Sequence, residues 1–298
     1  MMPAPASEKT FMPHASNKPM LARLLCAALL LASPVVAVQA APALDNCTGY
    51  VTTLPATLST QGTWCLRGDL NTTMTSGAAI TIAANNITLD CNDFKVGGLG
   101  SGLSTRTTGV FAVRYANTTV RNCNIRGFRD GIRVEGFGHL IEDNRLDSNT
   151  STGILVAGDG SIVRRNRVLD TGGAPDLAVA TGIYTSESVD IIDNTVADVA
   201  SAQANGANYG IRTNLNLGGS ISGNRVRGIV VQASGSAIYN GGSGRIVVSN
   251  NDLLGRTEAK DTGIRCPNTL GTVTGNAVVG FTTAIQGCTK GAGNNELP

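Results

Sequence analysis

The chain has few aromatic residues and little charge. Aromatic side chains make up 4% and charged side chains 15% of the 298 residues. It also lacks any stretch with helical periodicity, which excludes an α-helical solenoid. No Cys-x-x-Cys or Cys/His spacing of a zinc site is present, so we expect neither a metal nor another cofactor.

Residues 1–40 are predicted to be a secretory signal peptide. Lys18 and Arg23 precede an apolar stretch, Leu24–Leu31, and Val38-Gln39-Ala40 has the small residues of a cleavage site. Met20 is an alternative translation start. The apolar stretch is shorter than the about 18 to 20 residues that a membrane span needs. We therefore expect a secreted or periplasmic protein with no membrane span after cleavage.

Charge is balanced once this leader is removed. Of the 23 basic and 21 acidic residues, three bases and one acid lie before residue 41, which leaves 20 of each. Nucleic-acid binding requires a clear basic excess to neutralise phosphates. We therefore expect no nucleic-acid partner.

What the chain does have is 37 glycines and a long internal repeat. A Gly-Ile doublet, with Ala for Gly and Val for Ile in some copies, recurs every 21 to 30 residues, a period typical of a solenoid. An asparagine follows each doublet by 11 to 13 residues, and Cys123 holds its place once. The doublets end at Ile80, Val110, Ile132, Ile154, Ile183, Ile211, Ile238, Ile264 and Ile285, and the asparagines are Asn92, Asn144, Asn166, Asn194, Asn224, Asn251 and Asn276.

Each repeat reads as three short strands with a turn and a corner. In 152–168, Ile154 and Val156 alternate with other residues as in a strand, a glycine turn follows, and Asn166 stands at a corner before the third strand. Stacked repeats would build a narrow aliphatic interior with little room for aromatic rings. About eight to nine coils at roughly 4.8 Å each would give a rod near 40 Å long.

Six cysteines lie after the leader: Cys47, Cys65, Cys91, Cys123, Cys266 and Cys288. An even number in an exported chain predicts disulfides, for which fifteen pairings are possible. Cys91 and Cys123 hold nearly the same place in adjacent repeats, as do Cys266 and Cys288. Strands stacked about 4.8 Å apart suit a disulfide. This favours those two pairs and leaves Cys47 for Cys65.

Gly131-Ile132, followed by the strand–Asn–strand corner 141–146, resembles the right-handed parallel β-helix of the pectate-lyase-like (pectin lyase fold) superfamily. The resemblance covers about 77–288. It implies an all-β, right-handed, single-stranded parallel β-helix, with 41–76 as an N-terminal cap and 289–298 as a C-terminal tail. The thin C-terminal end would permit a homodimer. The superfamily includes polysaccharide lyases, hydrolases and epimerases as well as tailspikes and adhesins, so it implies a polysaccharide partner without fixing a reaction.

In that superfamily, substrate lies along the outer surface of the Gly-Ile sheet. The residue after each Ile faces outward there, which selects Tyr184, Arg212 and Tyr239 as substrate-binding candidates in three consecutive coils. The distance from asparagine to the next doublet varies from 9 to 18 residues, so insertions enter on one side, beside these residues. The alternative is an exposed sheet with ordinary cross-strand packing.

Catalytic candidates are Arg133 and Glu135, outward on one strand, and His139 in the following turn. His139 is the only histidine after the leader and a natural general base, although a lone surface histidine can equally be inert. Two rows of alternating charge are read as structural salt-bridge ladders: Asp143, Arg165 and Asp193 in one, and Arg121, Glu142 and Arg164 in the other.

The catalytic motifs of the superfamily's hydrolases, pectate lyases and epimerases are missing. The sequence therefore leaves catalysis open. It predicts a secreted β-helix that binds, and in one reading modifies, an acidic polysaccharide in the manner of a lyase or epimerase. The alternative is a non-catalytic structural, adhesin or glycan-binding envelope protein.

Overall fold

The fold is that of a computed structural model which describes residues 46–214, 217–230, 232–256, 260–267 and 271–298. The predicted signal peptide, 1–40, and the start of the predicted cap, 41–45, lie outside the described residues. The strands, in chain order, are β1 (Gly49–Val51), β2 (Ala56–Leu58), β3 (Gly62–Leu66), β4 (Leu70–Asn71), β5 (Ala78–Ile82), β6 (Ile87–Asp90), β7 (Lys95–Gly97), β8 (Thr108–Ala116), β9 (Thr119–Arg121), β10 (Asn124–Arg126), β11 (Asp130–Phe137), β12 (Leu140–Glu142), β13 (Arg145–Asp147), β14 (Thr152–Ala157), β15 (Ser161–Arg164), β16 (Arg167–Gly172), β17 (Val179–Ser186), β18 (Val189–Ile192), β19 (Thr195–Ala200), β20 (Ala207–Asn214), β21 (Gly219–Ser222), β22 (Arg225–Ile229), β23 (Ser234–Asn240), β24 (Ile246–Ser249), β25 (Asp252–Leu254), β26 (Asp261–Arg265), β27 (Thr272–Thr274), β28 (Ala277–Val279), β29 (Thr283–Gln286), β30 (Thr289–Lys290) and β31 (Asn295–Leu297).

These strands form three parallel sheets, each taking one strand from every turn of the chain. The first sheet has the order β1-β3-β6-β9-β12-β15-β18-β21-β24-β27-β30. The Gly-Ile sheet is β2-β5-β8-β11-β14-β17-β20-β23-β26-β29, and the third sheet runs from β4 through β7, β10, β13, β16, β19, β22, β25 and β28 to β31. The chain is therefore a right-handed parallel β-solenoid, and the predicted fold is confirmed. The described residues contain no α-helix, only a 3₁₀ turn at Leu99–Ser101.

The interior is a stack of identical aliphatic positions. Ile132, Ile154 and Ile183 are in register on successive strands of the Gly-Ile sheet, and each is fully buried. Each buried isoleucine contributes about 1.5–3 kcal/mol relative to exposure. Few rings share this interior, among them Phe128 and Phe281, which accords with the low aromatic content.

The recurring asparagines form a buried hydrogen-bonded ladder at one corner. The backbone N–H and the Nδ2 of Asn166 donate to Oδ1 of Asn194 over 2.9 and 3.0 Å, and the same Nδ2 donates to the Ile141 carbonyl. The pattern repeats along Asn144, Asn166, Asn194, Asn224, Asn251, Asn276 and Asn294. Cys123 occupies one step, donating its N–H to Asn144 Oδ1. Asn92 lies outside the ladder and donates to the Leu66 carbonyl.

Both ends of the described chain continue the sheets. Within the predicted cap, β1 pairs with β3, β2 with β5 and β4 with β7. Within the predicted tail, β30 pairs with β27 and β31 with β28. The six cysteines form the three expected disulfides, Cys47–Cys65, Cys91–Cys123 and Cys266–Cys288. Within the described part of the chain, no helix has the length and apolar character needed to cross a membrane.

Candidate functional site

One row of side chains runs along the outer face of the Gly-Ile sheet. Its members follow the buried Ile or Val of each doublet and are in Cα register from strand to strand. They are Thr81, Phe111, Arg133, Leu155, Tyr184, Arg212, Tyr239, Arg265 and Gln286. None of them is buried. The structure thus brings the three predicted binding residues together on one exposed face.

Tyrosine rings surround Arg212 in this row. The Arg212 guanidinium carbon lies 5.6 Å from the Tyr184 ring centroid and 5.1 Å from that of Tyr209. The Tyr209 and Tyr239 rings are 5.1 Å apart and tilted by 48°. Arg265 lies 5.9 Å from the Tyr239 ring. At these distances the guanidinium groups are attracted to the faces of the tyrosine rings by cation–π interactions.

Among the described residues, no carboxylate oxygen lies within 4.0 Å of the Arg212 guanidinium nitrogens. Its neighbour across β17 and β20 is Tyr184, and its neighbour across β20 and β23 is Tyr239. The guanidinium therefore keeps its hydrogen-bond donors available to a ligand on this face.

Tyr209 was missed by the sequence pattern for a structural reason. Strict alternation would place it inside, two residues before the buried Ile211. A Cβ on Gly210 would instead lie 2.6 Å from the Ala237 carbonyl oxygen and against the buried Val226 side chain, so both members of the doublet face inward. The residue before the glycine then faces outward. This break in alternation at each doublet is the signal that could have found it.

A shallow cleft of about 330 Å³ lies beside this cluster. It is lined by Arg129, Asp130, Arg133, Ser151, Thr152, Leu155, Leu177, Val179, Thr181, Tyr184 and Arg212. Burial raises the pKa of Asp130 above its ordinary 3.8, against the opposing effects of a Thr152 hydrogen bond and the charges of Arg133 and Arg129. Asp130, which was not among the predicted candidates, is thus a carboxyl with a raised pKa within the cleft.

Both arginines near Asp130 have other carboxylate partners. Arg133 Nε donates to Glu135 Oε1 over 2.8 Å, as expected for two outward residues of one strand. Arg129 reaches Asp176 Oδ2 at 3.3 Å. Asp130 therefore lies close to two positive charges without being the main partner of either.

The loops that precede β17, β20 and β23 contain the insertions, and they lie along one side of the cleft. Ser201 Oγ donates to the Leu177 carbonyl over 3.2 Å, and Gln203 Nε2 donates to the Pro175 carbonyl. Gln232 Nε2 then donates to the Ser201 carbonyl over 3.1 Å. Three successive insertions are thus tied to one another, and Leu177 of the first reaches the cleft.

His139 is not where a general base would need to be. The residue is only 1% exposed. Its ring Nδ1 accepts a hydrogen bond from the Thr118 backbone N–H at 3.3 Å, and its backbone N–H donates to Ser161 Oγ. Its Nε2 is buried without a hydrogen-bond partner, and burial lowers the pKa of the imidazole below 6.5. The predicted surface position of His139 is wrong, because the residue is buried. Gly136 and Gly138, just before it in the chain, both have positive φ.

Four of the six alternating charges predicted to be structural form ion pairs within their rows, whereas Arg121 pairs with Asp90 and Asp193 has no ion pair among the described residues. Arg164 contacts Glu142 and Arg165 contacts Asp143, each at 2.7 Å. The Arg165 guanidinium lowers the pKa of Asp143. No cluster of His, Cys, Asp or Glu suited to a metal ion occurs among the residues that the structure describes.

Three parallel sheets wound in one direction, with a partly exposed Tyr–Arg row on one of them, define a right-handed parallel β-helix protein. The chain belongs to the family described as "right handed beta helix region", whose model matches residues 108–278. A search of curated proteins found no significant match.

Several solved structures share the fold at low identity. The DFA-IIIase of Arthrobacter chlorophenolicus is 14% identical, with a TM-score of 0.46, over 74% of this chain and 61% of that one. The Dettilon tailspike protein is 15% identical, with a TM-score of 0.41, over 83% and 60%. The A-module of a mannuronan C-5 epimerase from Azotobacter vinelandii is 12% identical, with a TM-score of 0.39, over 85% and 91%. The chain thus spans about three fifths of the length of the first two, and these likenesses concern the fold alone.

Proposed function

We propose that this protein is an exported β-helix that binds an acidic polysaccharide along the outer face of its Gly-Ile sheet. The observation that carries the proposal is Arg212, a guanidinium without an ion-pair partner in the described chain, lying among the rings of Tyr184, Tyr209 and Tyr239. Three disulfides support an exported location, since such bonds persist in oxidising compartments.

The chemistry of the cluster fits a sugar acid better than a neutral sugar. Tyrosine offers a flat apolar surface with a polar hydroxyl tip, suited to the face of a sugar ring. Arginine offers paired N–H donors that match a carboxylate. Adjacent coils are about 4.8 Å apart, so the row presents rings and guanidinium at intervals comparable to single sugar units.

Hydrolysis by two carboxyls receives no support from this face. Asp130 and Glu135 are five residues apart on β11, which corresponds to about 16 Å along an extended strand. Paired glycosidase carboxyls lie roughly 5 to 9.5 Å apart. Asp130 and Glu135 therefore do not have the spacing of a glycosidase pair.

A second candidate function is proton transfer at a uronate, as in a lyase or epimerase. It is favoured by Asp130 alone, because a partly buried carboxyl with a raised pKa beside arginines is typical of acid–base residues. Incubation with pectate, alginate and hyaluronan, with ultraviolet detection of an unsaturated product, tests the lyase form. Product from the wild type and none from Asp130→Asn would support it.

The binding proposal is tested by affinity electrophoresis in gels containing pectate, alginate, hyaluronan or neutral dextran. Arg212→Gln should weaken retention by the acidic polymer about tenfold, the magnitude of one lost charge-assisted contact, and Tyr184→Ala with Tyr209→Ala should do likewise. Arg245→Gln, at an exposed arginine that lines no part of the cleft, is the matched control. The melting temperature should stay unchanged in all variants. Equal retention by neutral dextran, or unaltered retention of Arg212→Gln, would contradict the proposal.

A further inference from the structure

Two arginines face each other on the third sheet, away from the Gly-Ile face. Arg145 begins β13 and Arg167 begins β16, and their Cα atoms are paired in the parallel register. Both are exposed, while the next residues, Leu146 and Val168, are fully buried. The two side chains therefore project to solvent from strands about 4.8 Å apart.

This pairing breaks a rule that the rest of the described chain follows. In five other register pairs both residues are charged, and in all five the charges are opposite: Asp90 with Arg121, Arg121 with Glu142, Glu142 with Arg164, Arg126 with Asp147, and Arg225 with Asp252. Like charges directly across two strands are destabilising. Arg145 and Arg167 are the exception, so an anion bound between them would relieve their repulsion.

No carboxylate of the described residues provides that anion, since neither arginine has an ion pair within 4.0 Å. Two acids close to these arginines in sequence are paired elsewhere. Asp143 contacts Arg165 at 2.7 Å and Asp147 contacts Arg126 at 3.0 Å. Asn124 and Thr195 flank the arginines in the same row and add uncharged polar groups. The row thus offers two guanidiniums with free donors between two neutral hydrogen-bonding residues.

The donors suit a tetrahedral oxyanion. One guanidinium matches the two oxygens of a carboxylate, whereas two guanidiniums from adjacent coils can share the three terminal oxygens of a sulfate or phosphate ester. We propose that Arg145 and Arg167 form a site for a sulfate or phosphate group carried on a polymer, separate from the uronate-binding face. This would give the rod two anion-binding faces with different chemical preferences.

The experiment compares wild type with the double variant Arg145→Gln, Arg167→Gln. Retention is measured by affinity electrophoresis in gels that contain dextran sulfate or polyphosphate. The polymer that retains the protein more strongly shows whether the site prefers sulfate or phosphate. We expect about a tenfold loss of affinity in the double variant for whichever polymer binds wild type. Melting without any anion at low salt should show the double variant at least as stable as wild type, because a like-charge contact is removed.

The matched control is Arg227→Gln. Arg227 is exposed on the same sheet, but its register neighbours are Ala197 and Leu254, so it belongs to no arginine pair. It should retain wild-type affinity. Unchanged binding by the double variant, an equal loss in Arg227→Gln, or a lower melting temperature of the anion-free double variant would each overturn the proposal.

Discussion

The imidazole of His139 shows how the position of one side chain decides between chemistry and stability. The ring is held inside the solenoid by the Thr118 N–H, which donates to Nδ1, and the His139 backbone N–H donates to Ser161 Oγ. A protonated ring could not accept the Thr118 hydrogen bond at Nδ1 and would carry a charge into the interior. Burial therefore favours the neutral ring in the folded protein and lowers its pKa.

This predicts a loss of stability on acidification that belongs to His139. Its folded pKa lies below 6.5, so the unfolded chain binds the proton more readily. Its contribution is present above pH 6.5 and is lost as the pH falls toward the folded pKa. The unfolding free energy should fall by at most about 1.4 kcal/mol per pH unit in that range.

Denaturant titrations at several pH values check this, with His139→Asn as the variant, since an amide oxygen can accept the Thr118 bond without titrating. The difference between wild type and variant should shrink or change sign as the pH drops below 6.5. A difference independent of pH would show that the imidazole does not titrate across folding.

The Asp130 carboxylate is predicted to weaken the binding of an acidic polysaccharide in the cleft, whereas Arg212 is predicted to strengthen it. When ionised it repels an acidic glycan beside Arg133 and Arg212, whereas Asn keeps a side chain of the same size. Asp130→Asn should therefore bind an acidic polysaccharide about two- to fivefold more tightly at neutral pH, the effect of one partly screened charge. The two proteins should converge as the pH falls through the raised pKa, toward 3.8. Affinity electrophoresis in alginate at stepped pH measures this, with the exposed Asp198→Asn as control.

At the scale of the element, the Gly-Ile doublet marks a place where the strand has no room for a side chain. A Cβ on Gly182 would lie 2.7 Å from the Gly210 carbonyl oxygen on the next strand and would press on the buried Val196. The glycine thus allows two consecutive residues to face the interior. The residue that precedes the doublet can then lie on the outer side of the sheet, as the partly exposed Tyr209 does beside Arg212.

Gly182→Ala should therefore destabilise the protein by about 1–3 kcal/mol, the usual cost of overpacking a tight interior. Gly68→Ala is the matched control, because a Cβ there meets nothing within 4 Å. Thermal unfolding of both variants tests the claim. Equal melting temperatures would mean that the strands separate to admit the methyl group without cost.

The same geometry explains which parts of the site could be predicted. The row of Tyr184, Arg212 and Tyr239 follows from counting one residue past each buried Ile, and the register confirms that placement. Tyr209 and Asp130 precede their doublets, where alternation fails, so counting could not place them. The charge neighbours Arg145 and Arg167 each directly follow a ladder asparagine, but their lack of ion-pair partners depends on side-chain geometry that the repeat period does not contain.

At the scale of the whole molecule, a solenoid is stabilised coil by coil. Each turn pairs only with the turns before and after it, so the consequences of a local change should stay near its position. The disulfides accord with this arrangement, since Cys47–Cys65 lies near the first strands and Cys266–Cys288 near the last.

Removing the last disulfide should loosen one end only. Cys266→Ser with Cys288→Ser opens a crosslink between residues 22 apart, worth about 2–4 kcal/mol. Amide hydrogen exchange should accelerate in β26 to β31, where the Asn294 step closes the ladder, and remain slow in β3 to β12. Cys47→Ser with Cys65→Ser should give the converse, with faster exchange in β1 to β6. Exchange that rises equally along the rod in either variant would show a single cooperative unit, in which a binding face on any coil would respond to changes at either end.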